Sequence, residues 1–381
     1  MPLPLESQKQ VSVAFAHLKK CSIRKGIGKE SCPGEAVSSG LIMKKIDVEN
    51  AIGKVLAHDV TRIVPGKFKG VGFKKGHIIQ GKDIAELKKI GKNHLYVLEL
   101  SPDMIHEDDA ALRICEAVCG ESVAWTDPVE GKSNIVCKTD GLLKIDASAL
   151  MRINSMGEII ISTLKSNTPC RKDQIVAATR IIPLATRRDK IERLEAIVER
   201  EQPVIKVLPF KPMRVGAVVT GTEVHNGIIH DAFDEFVKPV IIRHGSTVVN
   251  KIIVPDDPHA ISGAINQLAA SKCELIVTTG GLSVDPDDVT REGILQTGAK
   301  LVSYGAPILP GAMFLYALYN NIPIIGLPAC VYYYRATVFD LVLPRILAGE
   351  TITREDIVAM GHGGLCLNCK QCRYPVCPFG K

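Results

Sequence analysis

The stretch VGAVVTGTE, residues 215–223, is an apolar run that ends in threonine, glycine and glutamate. A second stretch, LIVTTGGLS at residues 275–283, repeats this pattern further along the chain. Apolar runs without polar alternation are typical of parallel strands that are covered on both faces of a sheet. Glycines directly after such strands allow the backbone to turn sharply and to approach a ligand closely. The two stretches therefore predict buried strands with functional loops at their ends.

The surrounding residues, 213–350, alternate between strand-like and helix-like segments. Strands are predicted at residues 214–220, 247–254, 274–279 and 322–326, and helices at 233–244, 259–270, 289–297 and 333–347. This alternation predicts an α/β domain with a doubly wound, mostly parallel sheet. In such a sheet, ligands bind beyond the carboxyl ends of the strands, close to the switch point of the strand order.

The loop that follows the second stretch has the residue types of an anion site. Two successive glycines can direct peptide N–H groups towards a phosphate. Asp285, Asp287 and Asp288 follow them, and hard carboxylate oxygens suit Mg²⁺. An equally open interpretation is that one of these aspartates only caps the helix that begins near Thr290.

The motifs together resemble those of a known family. The two stretches, the segment GIIHD at residues 227–231, Pro310-Gly311 and Gly326-Leu327-Pro328 are similar in order and spacing to the molybdopterin-binding domain. That domain is shared by molybdopterin molybdenumtransferase, the adenylyltransferases of the same pathway and gephyrin-type proteins. The resemblance covers about residues 213–347 and implies a role in molybdenum cofactor biosynthesis.

The resemblance also implies roles for individual residues. The catalytic candidates are the acidic residues Glu223, Asp231 and Asp288, of which Asp288 would bind Mg²⁺ or molybdate. The residues expected to bind molybdopterin, free or adenylylated, are Thr220, Gly221, Thr222, Thr279, Gly280, Gly281, Leu282, Ser283, Pro310, Gly311, Gly326, Leu327 and Pro328. The implied reaction is the insertion of molybdate into the dithiolene of molybdopterin, and the implied assembly is a homodimer.

Several positions depart from the transferase pattern and keep a second function open. The chain has Thr222, Ala232-Phe233, Ala312-Met313 and Ala329-Cys330-Val331 where the transferase has polar or charged residues or a Gly-Asn-Pro motif. The alternative is a carrier or maturation factor that binds molybdopterin without turnover and serves a molybdoenzyme client. A weaker third hypothesis, by analogy of fold, is a nucleotide or pyrophosphate hydrolase.

Four cysteines close to the C-terminus form a second candidate site. Cys366, Cys369, Cys372 and Cys377 have the spacing C-x2-C-x2-C-x4-C and are followed by Pro378. The run resembles a ferredoxin ligand set with one extra residue before the fourth cysteine, which predicts a [4Fe–4S] cluster. Structural Zn²⁺, with His362 as a substitute ligand, is the main alternative, and a redox-active thiol or docking role is another.

The remainder of the chain is less informative. Residues 1–42 are expected to be a loose, disordered extension, residues 43–183 an α+β or β-rich N-terminal region, 184–212 a helical linker and 351–381 a cysteine-rich metal-binding tail. A net charge of +6 and an aromatic share of 5% do not favour nucleic acid as a partner. No apolar run is long enough for a bilayer, so the sequence predicts a cytoplasmic protein without a membrane partner.

Overall fold

The structure is a computed structural model that describes residues 41–64, 68–200 and 203–381. Residues 1–40 of the predicted extension lie outside the described residues. The first described region, residues 41–100, contains strands β1–β5 and one helix, α1. Their bounds are Leu41–Asp47, Val55–Leu56, Val60–Val64, Phe68–Phe73 and His94–Leu100 for the strands and Gly81–Lys89 for α1. Strand β5 pairs antiparallel with β1 and β2, while β3 and β4 form a hairpin.

The next region, residues 104–209, consists of small antiparallel sheets around three helices. Strands β6–β14 span Met104–His106, Val123–Trp125, Lys132–Cys137, Gly141–Ile145, Ile159–Thr163, Pro169–Cys170, Ile175–Ile181, Ala185–Arg187 and Ile205–Pro209. Helices α2–α4 span Glu107–Val118, Ala147–Asn154 and Arg188–Glu199. The apolar side of α4, with Ile191, Leu194 and Val198, is buried in the core of this region. The helix expected to be a linker is therefore part of a packed core.

The α/β domain contains strands β15–β20 and helices α5–α11. The strands span Arg214–Thr220, Thr247–Val254, Leu275–Thr279, Lys300–Tyr304, Leu315–Tyr319 and Ile322–Leu327. The helices span Thr222–His225, Phe233–Phe236, Lys238–Arg243, Pro258–Ala270, Thr290–Gln296, Val338–Leu347 and Arg354–Ala359.

One six-stranded sheet organises this domain, in the order β16-β15-β17-β20-β19-β18. The first four of these strands are parallel, whereas β19 and β18 run antiparallel to their neighbours. The prediction of a doubly wound, mostly parallel sheet is confirmed. Because the chain passes from β15 to β16 on one side and then to β17 on the other, the switch point lies between the ends of β15 and β17.

Both faces of the sheet are covered. Apolar residues of α6, α7 and α10 pack on one face, for example Phe233, Ile241 and Phe339. Those of α8 and α9, such as Ile265 and Ile294, pack on the other. This double cover explains why β17 is buried along its whole length and why its sequence lacks polar alternation.

Three local predictions differ from the structure. The helix predicted at 233–244 is divided into α6 and α7, with Pro239 in the first turn of α7, because proline lacks the N–H that a continuous helix requires. The helix predicted at 333–347 corresponds to α10, which begins at Val338 because Thr337 and Asp340 form a capping box at its start. The antiparallel strands β18 and β19 were not predicted.

Candidate functional site

The ends of β15 and β17 are joined by three buried threonines. The Thr220 hydroxyl donates to the Thr279 carbonyl oxygen at 3.1 Å and lies 3.0 Å from the Thr290 hydroxyl. Thr290 is the first residue of α9, so one hydrogen-bonded group connects two strand ends and a helix start. The switch point is thereby fixed in place.

The double glycine after β17 makes a turn that other residues cannot make. Gly280 and Gly281 have φ values of +91° and +57°. A Cβ atom at Gly280 would lie 2.6 Å from the Thr220 carbonyl oxygen, and one at Gly281 would overlap the Thr290 hydroxyl. Glycine is required here both for its conformation and for the close packing against β15 and α9.

The loop that leaves this turn presents unpaired peptide N–H groups. Hydrogen bonding from Thr290 N to Gly281 O, at 3.1 Å, closes the loop. Within it, the N–H groups of residues 281–284, which include Leu282 and Ser283, have no hydrogen-bond partner among the described residues. The buried Thr279 hydroxyl likewise makes no hydrogen bond of normal length within the described part of the chain. Unpaired donors of this kind fit an anionic group such as a phosphate.

Of the other two glycine motifs, Gly326-Leu327-Pro328 lies beside this loop and Pro310-Gly311 packs against the start of α10. Gly280 N donates to Leu327 O at 3.4 Å, and a Cβ atom at Gly326 would lie 2.9 Å from the Leu282 side chain. Pro328 follows directly at the end of β20. The Pro310 carbonyl oxygen accepts from Val338 N at 3.3 Å, and a Cβ atom at Gly311 would lie 2.5 Å from the Val338 side chain. Since α10 follows β20, both motifs lie at the carboxyl edge of the sheet.

The three acidic candidates have different surroundings. Asp288 accepts a hydrogen bond from Asp285 N at 3.1 Å and so helps to close its own loop. Asp231 accepts from Phe233 N at 2.8 Å and from the Lys251 ammonium at 2.5 Å, and its side chain is 10% exposed. Glu223, in the short helix α5, is exposed. Glu223 thus remains available to solvent, whereas a lysine neutralises Asp231.

Two residues at this edge of the sheet, Asp256 and Arg291, were not predicted from the sequence. Asp256, two residues after β16, accepts hydrogen bonds from the N–H and hydroxyl of Thr222, at 2.8 and 3.1 Å. Its position two residues after a predicted strand, at the edge where the loops lie, was a usable signal. Arg291 lies 4.7 Å from the centroid of the Tyr304 ring, and the Tyr304 hydroxyl donates to Leu282 O at 2.8 Å. Only the fold brings this cation next to the loop.

Cys330 occupies the loop after β20 and is partly buried. Burial raises the pKa of its thiol to about 11, so the sulfur is protonated near neutral pH. The C-terminal segment, residues 351–381, carries four more cysteines, and all of them line a single cavity: Cys366, Cys369, Cys372 and Cys377. Among the residues that the structure describes, no three His, Cys, Asp or Glu side chains are placed to hold one metal ion.

Residues 216–348 match a protein family described as a probable molybdopterin binding domain. The α/β domain belongs to that family. The match to this molybdopterin-binding domain includes all the glycine motifs and leaves the cysteines of the C-terminal segment outside. Residues 45–99 match a second family, described as a domain of unknown function.

The curated relatives resemble the molybdopterin-binding domain over a limited stretch. A CinA-like protein of Mycobacterium avium is 38% identical over 90 residues, which are 23% of this chain and 21% of that protein. A putative competence-damage inducible protein of Oceanobacillus iheyensis is 36% identical over 94 residues, 24% of this chain and 22% of that protein. The chain thus spans about a fifth of the length of these relatives.

Solved structures also resemble the chain in part. The molybdopterin biosynthesis enzyme MoaB of Thermus thermophilus matches 36% of this chain and 98% of its own, with 21% identity and a TM-score of 0.31. A molybdenum cofactor biosynthesis protein of Pyrococcus furiosus matches 81% of this chain and 63% of its own, with 13% identity and a TM-score of 0.23. Within the described residues, no helix has the length and apolar content that crossing a bilayer requires.

Proposed function

We propose that the protein acts in molybdenum cofactor biosynthesis, that it binds molybdopterin in its free or adenylylated form, and that it inserts molybdate into the dithiolene of the pterin. The observation that carries this proposal is the run of unpaired peptide N–H groups at residues 281–284, beside the switch point of a molybdopterin-binding domain. The terminal phosphate or the nucleotide of the ligand accepts hydrogen bonds from these groups. The guanidinium of Arg291 adds a positive charge beside the same loop.

The residues present fit such a ligand. The double-glycine turn carries no side chain of its own, and Pro328 and Gly311 lie along the same edge of the sheet. The dithiolene supplies two sulfur ligands for molybdenum when the pterin is bound. The chain itself binds the anionic end, orients the ligand across the switch point and holds the phosphates in place.

Carboxylates at this edge provide oxygen ligands for Mg²⁺, which reduces the negative charge of the phosphates. Asp288 is the main candidate because it lies in the phosphate loop itself, and the exposed Glu223 is the second. Asp231, already paired with Lys251, orients the start of α6 through its contact with Phe233 N. Molybdate enters as substrate.

The test uses the full chain with adenylylated molybdopterin, Mg²⁺ and molybdate, and it measures the release of AMP. Release that depends on molybdate is expected. Asp288→Asn should lower the rate at least tenfold, whereas Glu292→Gln, an exposed carboxylate in the first turn of α9, serves as the matched control. Release of nucleotide without any pterin would instead indicate a hydrolase and would overturn the proposal.

A carrier without turnover is the second candidate function. The observation that favours it is the pairing of Asp231 with Lys251, together with the role of Asp288 in closing its loop, which leaves fewer free carboxylates for catalysis. A carrier binds the pterin with the same loop and transfers it to a molybdoenzyme client. Saturable pterin binding without AMP release, under conditions in which a transferase control is active, would select this function.

The proposal also includes a homodimer, as in the family that the domain resembles. Light scattering on the full chain should give twice the mass of one chain at micromolar concentration. A mass of one chain at every concentration tested would contradict this part of the proposal and leave the pterin-binding part unaffected.

A further inference from the structure

The C-terminal segment forms one wall of a cavity of about 370 Å³. The opposite wall is the loop that precedes α10, with Tyr333, Tyr334, Arg335 and Ala336. All four cysteines of the segment line this hollow, which we call the cysteine cavity: Cys366, Cys369, Cys372 and Cys377. The fold therefore brings the whole cysteine motif to a single place.

The segment is held firmly against the α/β domain although it has no helix or strand after α11. Leu309 N donates to Gly364 O, and Cys366 N donates to Leu309 O, both at 2.8 Å. The Tyr374 hydroxyl donates to the Asp340 carbonyl oxygen at 3.0 Å, and Phe379 is 2% exposed within the domain core. The sulfurs of Cys369 and Cys372 thus belong to an anchored loop.

The lining of the cavity suits a large anionic group. Its rim carries apolar side chains that are left largely exposed, among them Leu367 at 70% and Val376 at 83%. The charged residues of the lining are Arg335 and Arg373, and none of the described lining residues is acidic. An iron–sulfur cube with four thiolate ligands has a net charge of minus two, so the two arginines oppose its charge.

The volume of the cavity favours such a cluster over a single ion. Tetrahedral Zn–S bonds of about 2.3 Å would bring the four sulfurs to within about 4 Å of one another. No such set of three or more ligands exists among the described residues, and His362 does not line the cavity. A four-iron cluster separates its cysteine ligands around a much larger body. Four cysteines line one cavity of about 370 Å³, which is more space than a single ion needs.

We propose that the cysteine cavity binds a [4Fe–4S] cluster through Cys366, Cys369, Cys372 and Cys377. The site stands independently of the pterin proposal, because its ligands lie outside the molybdopterin-binding match. The cysteine cavity nevertheless shares backbone segments with the edge of the sheet at which the pterin is proposed to bind. Leu309, which pairs with the segment, directly precedes the Pro310-Gly311 motif, and the opposite wall begins a few residues after Pro328.

The test is the anaerobic reconstitution of the full chain with ferric iron, sulfide and dithiothreitol, which reduces half of the iron as the cluster forms, followed by desalting. Four iron and four acid-labile sulfide per chain are expected, with broad visible absorption that bleaches when dithionite donates one electron to the cluster. The reduced cluster should give the paramagnetic resonance signal of a half-integer spin. Cys369→Ser and Cys372→Ser remove exposed thiols and should each lose at least half of the bound iron.

Cys119→Ser is the matched control, because Cys119 is a partly buried cysteine between α2 and the following strand and does not line the cavity. It should keep the full iron and sulfide content. Circular dichroism of each variant shows whether the fold is retained. Stoichiometric zinc that iron and sulfide do not replace, no retained iron, or iron content equal in Cys369→Ser and the unaltered chain would each overturn the proposal.

Discussion

Gly281→Ala tests whether the double-glycine turn determines the geometry of the site. Gly281 has φ +57°, a left-handed conformation that costs a residue with a Cβ atom about 1–2 kcal/mol. The new methyl group would also overlap the hydroxyl of Thr290. Displacing a packed group costs about 1–3 kcal/mol more. The substitution should therefore lower the free energy of unfolding by about 2–5 kcal/mol, the sum of these two contributions.

Gly298→Ala separates the two contributions. Gly298 also has a positive φ, +83°, but a Cβ atom there would meet nothing within 4 Å. This variant should lose only the conformational part, about 1–2 kcal/mol. Equilibrium urea unfolding of both variants, followed by circular dichroism, gives the two free energies, and their difference is the steric cost at the turn.

A double-mutant cycle with Thr290→Ala checks the physical cause. Removing the Thr290 hydroxyl relieves the overlap, so Gly281→Ala should be less destabilising in that background by at least about 1 kcal/mol. If Gly281→Ala is no more destabilising than Gly298→Ala, or if the cycle shows no coupling, the turn is not packed as described. In that case its N–H groups are not positioned by α9 either.

Three further substitutions test other parts of the structure. Burial raises the pKa of the Glu107 carboxyl to about 7, so ionisation of this group destabilises the folded state as the pH rises from 4.5 to 8. Glu107→Gln should therefore raise the free energy of unfolding by about 1–3 kcal/mol at pH 8 and leave it unchanged at pH 4. Urea titration at each pH measures the difference. Glu350→Gln should lower the free energy of unfolding by about 2–4 kcal/mol, because this carboxylate pairs with the buried Arg345 and with Lys144 of β9. The control is Glu355→Gln at an exposed position, which should leave the free energy of unfolding unchanged in the same titration. Phe339→Ala should cost about 3–5 kcal/mol through the cavity left in the core on one face of the sheet, and calorimetry should show a lower Tm; an unchanged Tm would contradict the packing of α10.

The linear order of apolar runs was sufficient to predict the sheet. Strands β15 and β17 are buried on both faces, and a strand in that position must be apolar along its whole length. The edge of the sheet that carries the loops followed from the same reasoning, since parallel strands end on one side. By contrast, β18 and β19 each combine buried with half-exposed positions. Only the antiparallel pairing of β19 with β20 and of β18 with β19 identifies them as strands.

The residue types that mark the candidate sites could also be recognised in the sequence. Glycine pairs after buried strands indicate a close backbone approach, and thiols at three-residue steps indicate a shared site. The contacts of these residues could not be predicted from the sequence. The pairing of Asp231 with Lys251, the contact of Arg291 with Tyr304 and the wall that Tyr333 forms opposite the cysteines all join residues from different elements.

The sequence by itself thus determined which segments are buried strands and which residue types occur at their ends, because burial and backbone conformation constrain each position locally. The tertiary structure alone decided which carboxylates are neutralised, which cation lies beside the phosphate loop and that four cysteines line one cavity. Charge and steric contact act over a few ångströms in space, and the chain order carries no information on those distances until the sheet and its helices have packed.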